Sequence, residues 1–361
     1  MVTDYTPPPW DEALYSFIQH LKGTSRAKKT VEFYQYLLNI LVHWAEDTNI
    51  PIDKFGKRSL DEYLVWRQEN GHTVSGKPLS LTTLHSSARV ARMFMKYCSR
   101  YDLIPRNLLA DYELRSVPRP HKYMPTEDDM VALLEAIHGY WNPLKNKTIK
   151  AFSASRRGFH RDRNFALIMT LLDSAARIGE VLSLKTTDLQ QTKVTVKGKE
   201  KVIWQITIRE SGSSSTTKGR SSRYVPLSDE TLGTIETWLK IRARTMRQAP
   251  AGSDEGWLFI AETGGRCDES RFLKSIRRIT KWAGLPDAIT LHSLRRFSLN
   301  KLSKVDVLGA QRIAGHKDTK TTLIYTELDA GHVADVHERA GVVKGIVANK
   351  KAAPKKRLAA A

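Results

Sequence analysis

Between His292 and Tyr325 the chain gathers side chains that can act on a phosphate ester. Two imidazoles are present (His292, His316), with a guanidinium three positions after the first (Arg295) and a phenol nine positions after the second (Tyr325). A spacing of three on a helix puts His292 and Arg295 on one face. A guanidinium is always charged, and its planar fork fits phosphate oxygens. Imidazoles donate hydrogen bonds or move protons near neutral pH. A tyrosine activated by its surroundings can become a nucleophile. Upstream stand Arg177 with Glu180 one helical turn later, and Lys218 in a Ser/Thr/Gly-rich stretch. Each has an ordinary reading when taken singly. A His-x-x-Arg pair is usually a solvated or capping face, and a lone Tyr is usually half-buried packing. Their weight depends on the elements that would position them.

The apolar spacing predicts such elements. Trp10, Leu14, Phe17, Ile18 and Leu21 recur at helical intervals, as do Val31, Tyr34, Leu37, Leu38 and Leu41. Leu60, Leu64 and Val65 mark a third helix, and Leu81, Leu84, Ala88, Ala91 and Met95 a fourth. Together they predict a compact all-α domain over residues 10–110, behind a polar lead-in (1–9) that ends in Pro7-Pro8-Pro9. Gly23-Thr24-Ser25 breaks the first run, and Ser25 is expected to cap the second helix. Ser59 with Glu62 forms a capping-box pattern for the third. The fourth helix carries a second stripe, Arg89, Arg92, Lys96 and Arg100, at spacings of 3, 4 and 4. A solvated face normally mixes charges, so a stripe of one sign predicts contact with DNA, with an ordinary wet face as the alternative.

Pro105, Pro118, Pro120 and Pro125 punctuate the chain, and residues 111–125 read as an extended interdomain linker. Thr126 caps a helix with Asp129, opening a second domain over 126–330. Residues 141–163, rich in Lys and Arg, read as a loop. Leu167, Ile168, Leu171 and Leu172 make an apolar helix that leads to Ala176-Arg177-Ile178-Gly179-Glu180. Strand patterns over Lys193–Val196, Val202–Ile208 and Tyr224–Leu227 predict a three-stranded antiparallel sheet. Helices return near 231–244, 270–283, 292–302 and 319–328. Residues 331–348 read as a further helix that could dock on a neighbouring subunit, and 349–361 as a basic, disordered tail.

Composition narrows the classes. A net charge of +20 favours a polyanionic partner, nucleic acid first and an anionic membrane second. Cys98 and Cys267 cannot build a disulfide framework and match no zinc spacing. With no signal-peptide pattern and no apolar run of transmembrane length, the expectation is an intracellular protein.

In chain order the motifs are Ala-Arg-Ile-Gly-Glu, Thr-Lys-Gly-Arg-Ser-Ser-Arg-Tyr-Val-Pro-Leu, His-Ser-Leu-Arg-Arg, and Ala-Gly-His followed by Ile-Tyr-Thr. Each is weak alone. In this order, with the Tyr nine after the second His, the set resembles the tyrosine recombinase (phage integrase) family over nearly the whole chain. The implied fold is mainly α with a small antiparallel β-sheet, an N-terminal four-helix core-binding domain preceding an α+β catalytic domain. Arg296 departs from the pattern, standing where relatives often carry a second His after the Arg.

The resemblance implies catalytic roles for Arg177, Lys218, His292, Arg295, His316 and Tyr325, with Glu180 in support. Arg177 and Arg295 would clamp the nonbridging phosphate oxygens, and Tyr325 would attack to leave a 3′-phosphotyrosine and a free 5′-hydroxyl. Lys218 would protonate the leaving oxygen, with Lys197 or Lys199 as the alternative donor. His292 would assist deprotonation of Tyr325 or bond a phosphate oxygen, and His316 would donate another bond. Glu180 would hold Arg177 or His292. No cofactor and no metal are expected. The implied partners are double-stranded DNA with specific recombination sites, a homo-tetramer assembled on it, and an accessory DNA-bending or directionality protein, with no membrane. The expected setting is cytoplasmic and nucleoid-associated. Two other readings share the scaffold: a type IB topoisomerase-like DNA relaxing enzyme, and a catalytically silent sequence-specific regulator.

Overall fold

The computed structural model describes residues 5–72, 76, 78–114, 116–117, 123–196, 199–209, 222–250 and 252–315. These form two compact units, one ending before residue 118 and one from 123 onward.

The first unit contains α1 (Trp10–Gly23), α2 (Lys28–Asp47), α3 (Lys57–Asn70) and α4 (Leu81–Arg100). The α4 helix packs against the other three. Its inner face supplies Leu84, Ala88, Ala91, Phe94 and Met95, and Phe94 meets the rings of Trp10 and Phe17 at 6.2 and 5.5 Å. The helical spacing of apolar residues thus marks most of the packing face, but Val65 of α3 and Leu81 at the start of α4, expected in the stripes, are exposed to water. Ser80 caps α4 by accepting from the Thr83 N–H. Two capping expectations fail. Ser25 adopts a left-handed conformation (φ 55°) in the turn, and α2 starts behind Ala27 without a side-chain cap. Ser59 lies inside α3, which starts behind Gly56, and Glu62 pairs with Arg58 instead. In both places a competent capping residue is offset from the point where packing starts the helix.

The second unit opens with α5 (Glu127–Tyr140), capped by the expected reciprocal bonds of Thr126 and Asp129. Residues 141–163 are not one loop. After a short 3-10 turn at Lys147–Ile149, α6 already begins at Ala154 and runs to Ser174. Its first turns are tied down by polar contacts. His160 stacks on Trp141 at 4.8 Å and reaches Glu262 at 3.4 Å, and Arg156 pairs with Glu262 at 2.9 Å. Burial, and next the Arg163 charge, push the His160 imidazole down to about 4. It is therefore neutral near pH 7.

A short helix, α7 (Ile178–Val181), leads to the sheet of β1 (Leu189–Val196), β2 (Lys199–Arg209) and β3 (Ser222–Pro226), antiparallel in the order β1-β2-β3. The alternation on β2 buries Ile206 and Ile208, and Val225 of β3 lies opposite Ile206. Four helices follow among the described residues: α8 (Asp229–Gln248), α9 (Glu269–Trp282), α10 (Leu291–Val305) and α11 (Val307–Ala314). The α6 helix is central, packing on α5, α8 and α10. Trp238 of α8 is fully buried and donates from its indole to the Leu258 carbonyl at 2.8 Å. The architecture is thus mainly α with a small antiparallel sheet.

Candidate active site

The site begins where α6 ends. Ser174 turns its hydroxyl back to the Thr170 carbonyl (2.6 Å) and accepts from the Ala176 N–H (3.2 Å). Ala175 then takes a left-handed conformation (φ 47°) while fully buried. A residue with a Cβ is costly there, so the surroundings must hold it. The turn delivers Arg177 to the start of α7. Glu180, at the third helical position, reaches back to accept from the Arg177 backbone N–H at 2.8 Å, the carboxylate half of a capping box. Its other oxygen accepts from Arg177 Nη1 at 3.2 Å. The Ala-Arg-Ile-Gly-Glu motif thus folds as a local unit that presents the Arg177 guanidinium, 57% exposed, on a carboxylate that is only 3% exposed.

Burial would raise the Glu180 carboxyl. The hydrogen bonds from Arg223 and the Arg177 backbone, with the charges of both arginines, outweigh it and hold the group below the usual carboxylate range.

The α10 helix brings the second arginine. Thr290 and Ser293 cap it. One helical turn in, Arg295 is 3% exposed and donates to the Ala175 carbonyl and, at 3.0 Å, to the Ala314 carbonyl. Its plane is therefore set by two backbone oxygens, one of them two residues before Arg177. His292, three positions earlier on α10, is exposed. The α11 helix ends at Ala314, with Gly315 left-handed (φ 66°) behind it.

Arg177, Glu180 and Arg295 are therefore brought to one place by the α6–α7 turn and α10. Lys218, His316 and Tyr325 lie outside the described residues, as do Lys197 and the segments 319–328, 331–348 and 349–361. Lys199 opens β2 and is exposed. In the first unit Arg89, Lys96 and Arg100 of the α4 stripe are exposed and Arg92 is half-buried, opposite the apolar face.

Two features escaped the sequence reading. Arg271, Lys274, Arg278 and Lys281 form an exposed basic face on α9, opposite Phe272, Ile276 and Ile279. Their spacings of 3, 4 and 3 carried the same signal as the α4 stripe. The other is Arg223 on β3. It donates to both Glu180 oxygens (2.7 and 3.3 Å) and to the Ile313 carbonyl (2.7 Å). Among the described residues no cluster of three or more His, Cys, Asp or Glu could hold a metal, and no helix is long and apolar enough to cross a membrane.

Residues 127–332 match the sequence profile of the phage integrase family, more than half of the chain. The chain belongs to that family. Over 317 residues it is 25% identical to the tyrosine recombinase XerD of Pseudomonas aeruginosa, covering 87% of this chain and 91% of that protein. The fold is shared with the XerH site-specific recombinase bound to its difH substrate (TM-score 0.58, 21% identity, 85% of this chain and 78% of that one). It is also shared with the lambda integrase tetramer bound to a Holliday junction (TM-score 0.58, 14% identity, 89% and 78%). The four-helix unit and the α+β unit are thus the core-binding and catalytic parts of a tyrosine recombinase fold.

Proposed function

We propose that this tyrosine recombinase is a site-specific enzyme that cuts and rejoins duplex DNA through a 3′-phosphotyrosine intermediate and a Holliday junction. The observation that carries the reading is the bond from Arg295 to the Ala175 carbonyl, two residues before Arg177. It fixes one arginine on the turn that presents the other, as a clamp on one phosphate requires. In the proposed reaction Arg177 and Arg295 neutralise the nonbridging oxygens as charge builds on them. One such donor is typically worth about 3–4 kcal/mol. The Tyr325 oxygen bonds to phosphorus and its proton passes to His292. The bond from phosphorus to the 5′-oxygen breaks, and Lys218 supplies the proton to that oxygen. His316 adds a hydrogen bond to the phosphate. Rejoining reverses these transfers on a new 5′ end, and the covalent phosphodiester energy is conserved throughout.

The exposed basic faces of α4 and α9 would hold the DNA backbone. A homo-tetramer on two recombination sites, joined through residues 331–348, would carry out the exchange in the cytoplasm, with an accessory protein setting direction.

A nicked suicide substrate tests the nucleophile. Wild-type protein should be trapped on a 3′ end in EDTA. Tyr325→Phe should bind the same DNA and form no adduct. An adduct that persists in the variant would remove Tyr325 from the role.

A further inference from the structure

The Arg223 guanidinium joins parts of the site that the proposed chemistry treats separately. Its Nη2 and Nη1 donate to Glu180 Oε2 (2.7 Å) and Oε1 (3.3 Å), the carboxylate that holds Arg177. Its Nε donates sideways to the Ile313 carbonyl near the end of α11 (2.7 Å). Gly315 then passes flush against it. A Cβ at Gly315 would sit 2.7 Å from Arg223 Nη1 and 3.0 Å from Cζ, and the glycine φ is +66°. A side chain there would have to push the guanidinium off its partners, and the positive φ favours glycine. Gly315 stands one residue before His316 and ten before Tyr325 (325 − 315), and Arg223 stands five after Lys218 (223 − 218). The Arg223 side chain is only 13% exposed, so these bonds are made largely out of water.

We propose that Arg223 is a positioning residue for strand cleavage. It ties the end of α11, from which the chain runs on to His316 and Tyr325, to the carboxylate that orients Arg177. It does so from the strand that follows the Lys218 segment. This rests on the reading that Arg177 and Tyr325 carry the cleavage. Only a guanidinium fits the task. Its planar fork spans both carboxylate oxygens while the Nε–H is left to reach a carbonyl to one side. An ammonium is a point donor and can serve the carboxylate or the carbonyl, but not hold both in one plane.

The geometry gives a readout that a general loss of packing would not. Glu180 is a buried carboxyl kept ionised by the hydrogen bond and charge of Arg223 together with Arg177, against desolvation. Among the described residues, other charged groups on these elements are Arg295, which donates to the Ala175 carbonyl, Arg266, which donates to the Gly179 carbonyl (3.3 Å), Glu269 beside Gly179, Asp173 bonded to Ser228, and Arg209 paired with Asp188. None of these replaces the Arg223 fork on Glu180. Without Arg223, desolvation is less opposed and the carboxyl rises. As pH falls through the raised value, Glu180 takes up a proton and releases Arg177.

The test is single-turnover adduct formation on the nicked substrate by the full chain, across pH, for wild type, Arg223→Ala, Arg223→Lys, Glu180→Gln and the Arg223→Ala/Glu180→Gln double variant. A displacement of about 1 Å at a reacting group costs on the order of 10²-fold, and Arg223→Ala should lose about that much in rate while its DNA affinity and salt slope stay at wild-type values. Its rate relative to wild type should fall further as pH is lowered, beyond the loss that protonation of the His292 base gives every variant, and the double variant should lack this additional acid limb. Arg223→Lys should recover only part of the rate. Added guanidinium at millimolar levels should rescue Arg223→Ala and leave Arg223→Lys unchanged, which also guards against a simple folding defect. An Arg223→Ala protein that cleaves at the wild-type rate, or whose defect lies wholly in DNA affinity, or whose additional acid limb persists in the double variant, overturns the proposal. A wild type that forms no adduct is a different result. It removes the cleavage reading itself, and this inference with it.

Discussion

In the first unit Arg67 is the one charged side chain buried among the described residues. In the second, Arg163, Glu180, Asp188, Arg242, Arg295 and Arg296 are all buried. The first unit keeps an aromatic and aliphatic interior and sets its cations outside on α4, where water screens them. The second draws charge inward and matches it. Arg242 meets Asp254 and the Trp257 carbonyl, Glu180 meets two arginines, and Arg295 meets two carbonyls. An exposed charge that touches a phosphate contributes to affinity, and its loss costs the fold little. A buried charge orients a reacting group, and its loss leaves partners stranded. On the proposed reading the same residue type serves binding in one unit and geometry in the other.

The largest test of that contrast is Arg295→Ala. It would remove the proposed phosphate clamp, worth about 10²–10³-fold in rate, and strand the Ala175 and Ala314 carbonyls, at about 1–3 kcal/mol for each unsatisfied group. Adduct formation should slow by at least about that factor, and the melting temperature of the second unit should fall. Arg89→Ala, on the exposed stripe, should change stability by no more than about 0.5 kcal/mol. Equal stability losses in the two variants, read by thermal melts, would erase the distinction.

Next in size is the proton donor. General acids contribute on the order of 10²–10⁴-fold, so Lys218→Ala should cleave ordinary DNA slowly. A 5′-bridging phosphorothiolate puts sulfur in the leaving position, which departs without a proton, and should restore cleavage by this variant. It should not restore Arg177→Ala or Arg295→Ala, whose proposed task is charge on the nonbridging oxygens. Lys199→Ala is the control. Rescue of Lys199→Ala instead would move the acid to the start of β2.

Smaller again is the α4 stripe. Arg92→Ala with Lys96→Ala should weaken DNA binding and reduce the salt slope by about 1 per lost phosphate contact. The rate of cleavage within the bound complex should hardly move. An unchanged affinity and slope would take this face out of the interface.

The two units also differ in how far they could be read in advance. Amphipathic helices of the first unit announce themselves, because burial and periodicity coincide at Trp10, Phe17, Leu37 and Met95. The three strands, Arg177, Glu180 and Arg295 were likewise visible as motifs. Other features were not. The early turns of α6 hold many cations and few apolar residues, so the 141–163 stretch reads as a loop until Trp141 and Glu262 are seen to anchor it. Arg223 sits on a strand where an arginine normally points to water. Only the fold reveals that Glu180 and the end of α11 lie against it. The left-handed backbone of Ala175 carries no signal at all, since alanine disfavours that conformation. Ser25 and Glu62 misled for the opposite reason. Competent capping residues are common, and packing decides which are used.

The smallest prediction sets Ser25 against Ala175, left-handed residues in different units. A left-handed residue with a Cβ costs about 1–2 kcal/mol. Glycine removes that cost but adds unfolded-state entropy of about 0.4–1 kcal/mol. Ser25 is exposed in a turn and caps nothing. Ser25→Gly should therefore stabilise the first unit by about 0.5–1 kcal/mol and leave cleavage untouched. Ala175 is fully buried against Leu299 and Ala314. Ala175→Gly also gives up a buried methyl, about 0.8 kcal/mol, so the net change in stability should be close to zero. Its carbonyl, however, is what Arg295 holds. A glycine there lets the turn that presents Arg177 move relative to α10, and the single-turnover rate should fall even though the protein melts where it did before. A rate unchanged in Ala175→Gly would mean that Arg295 is aimed by the Ala314 carbonyl alone. A stability loss in Ser25→Gly would mean that the serine side chain, and not the backbone, shapes the α1–α2 turn.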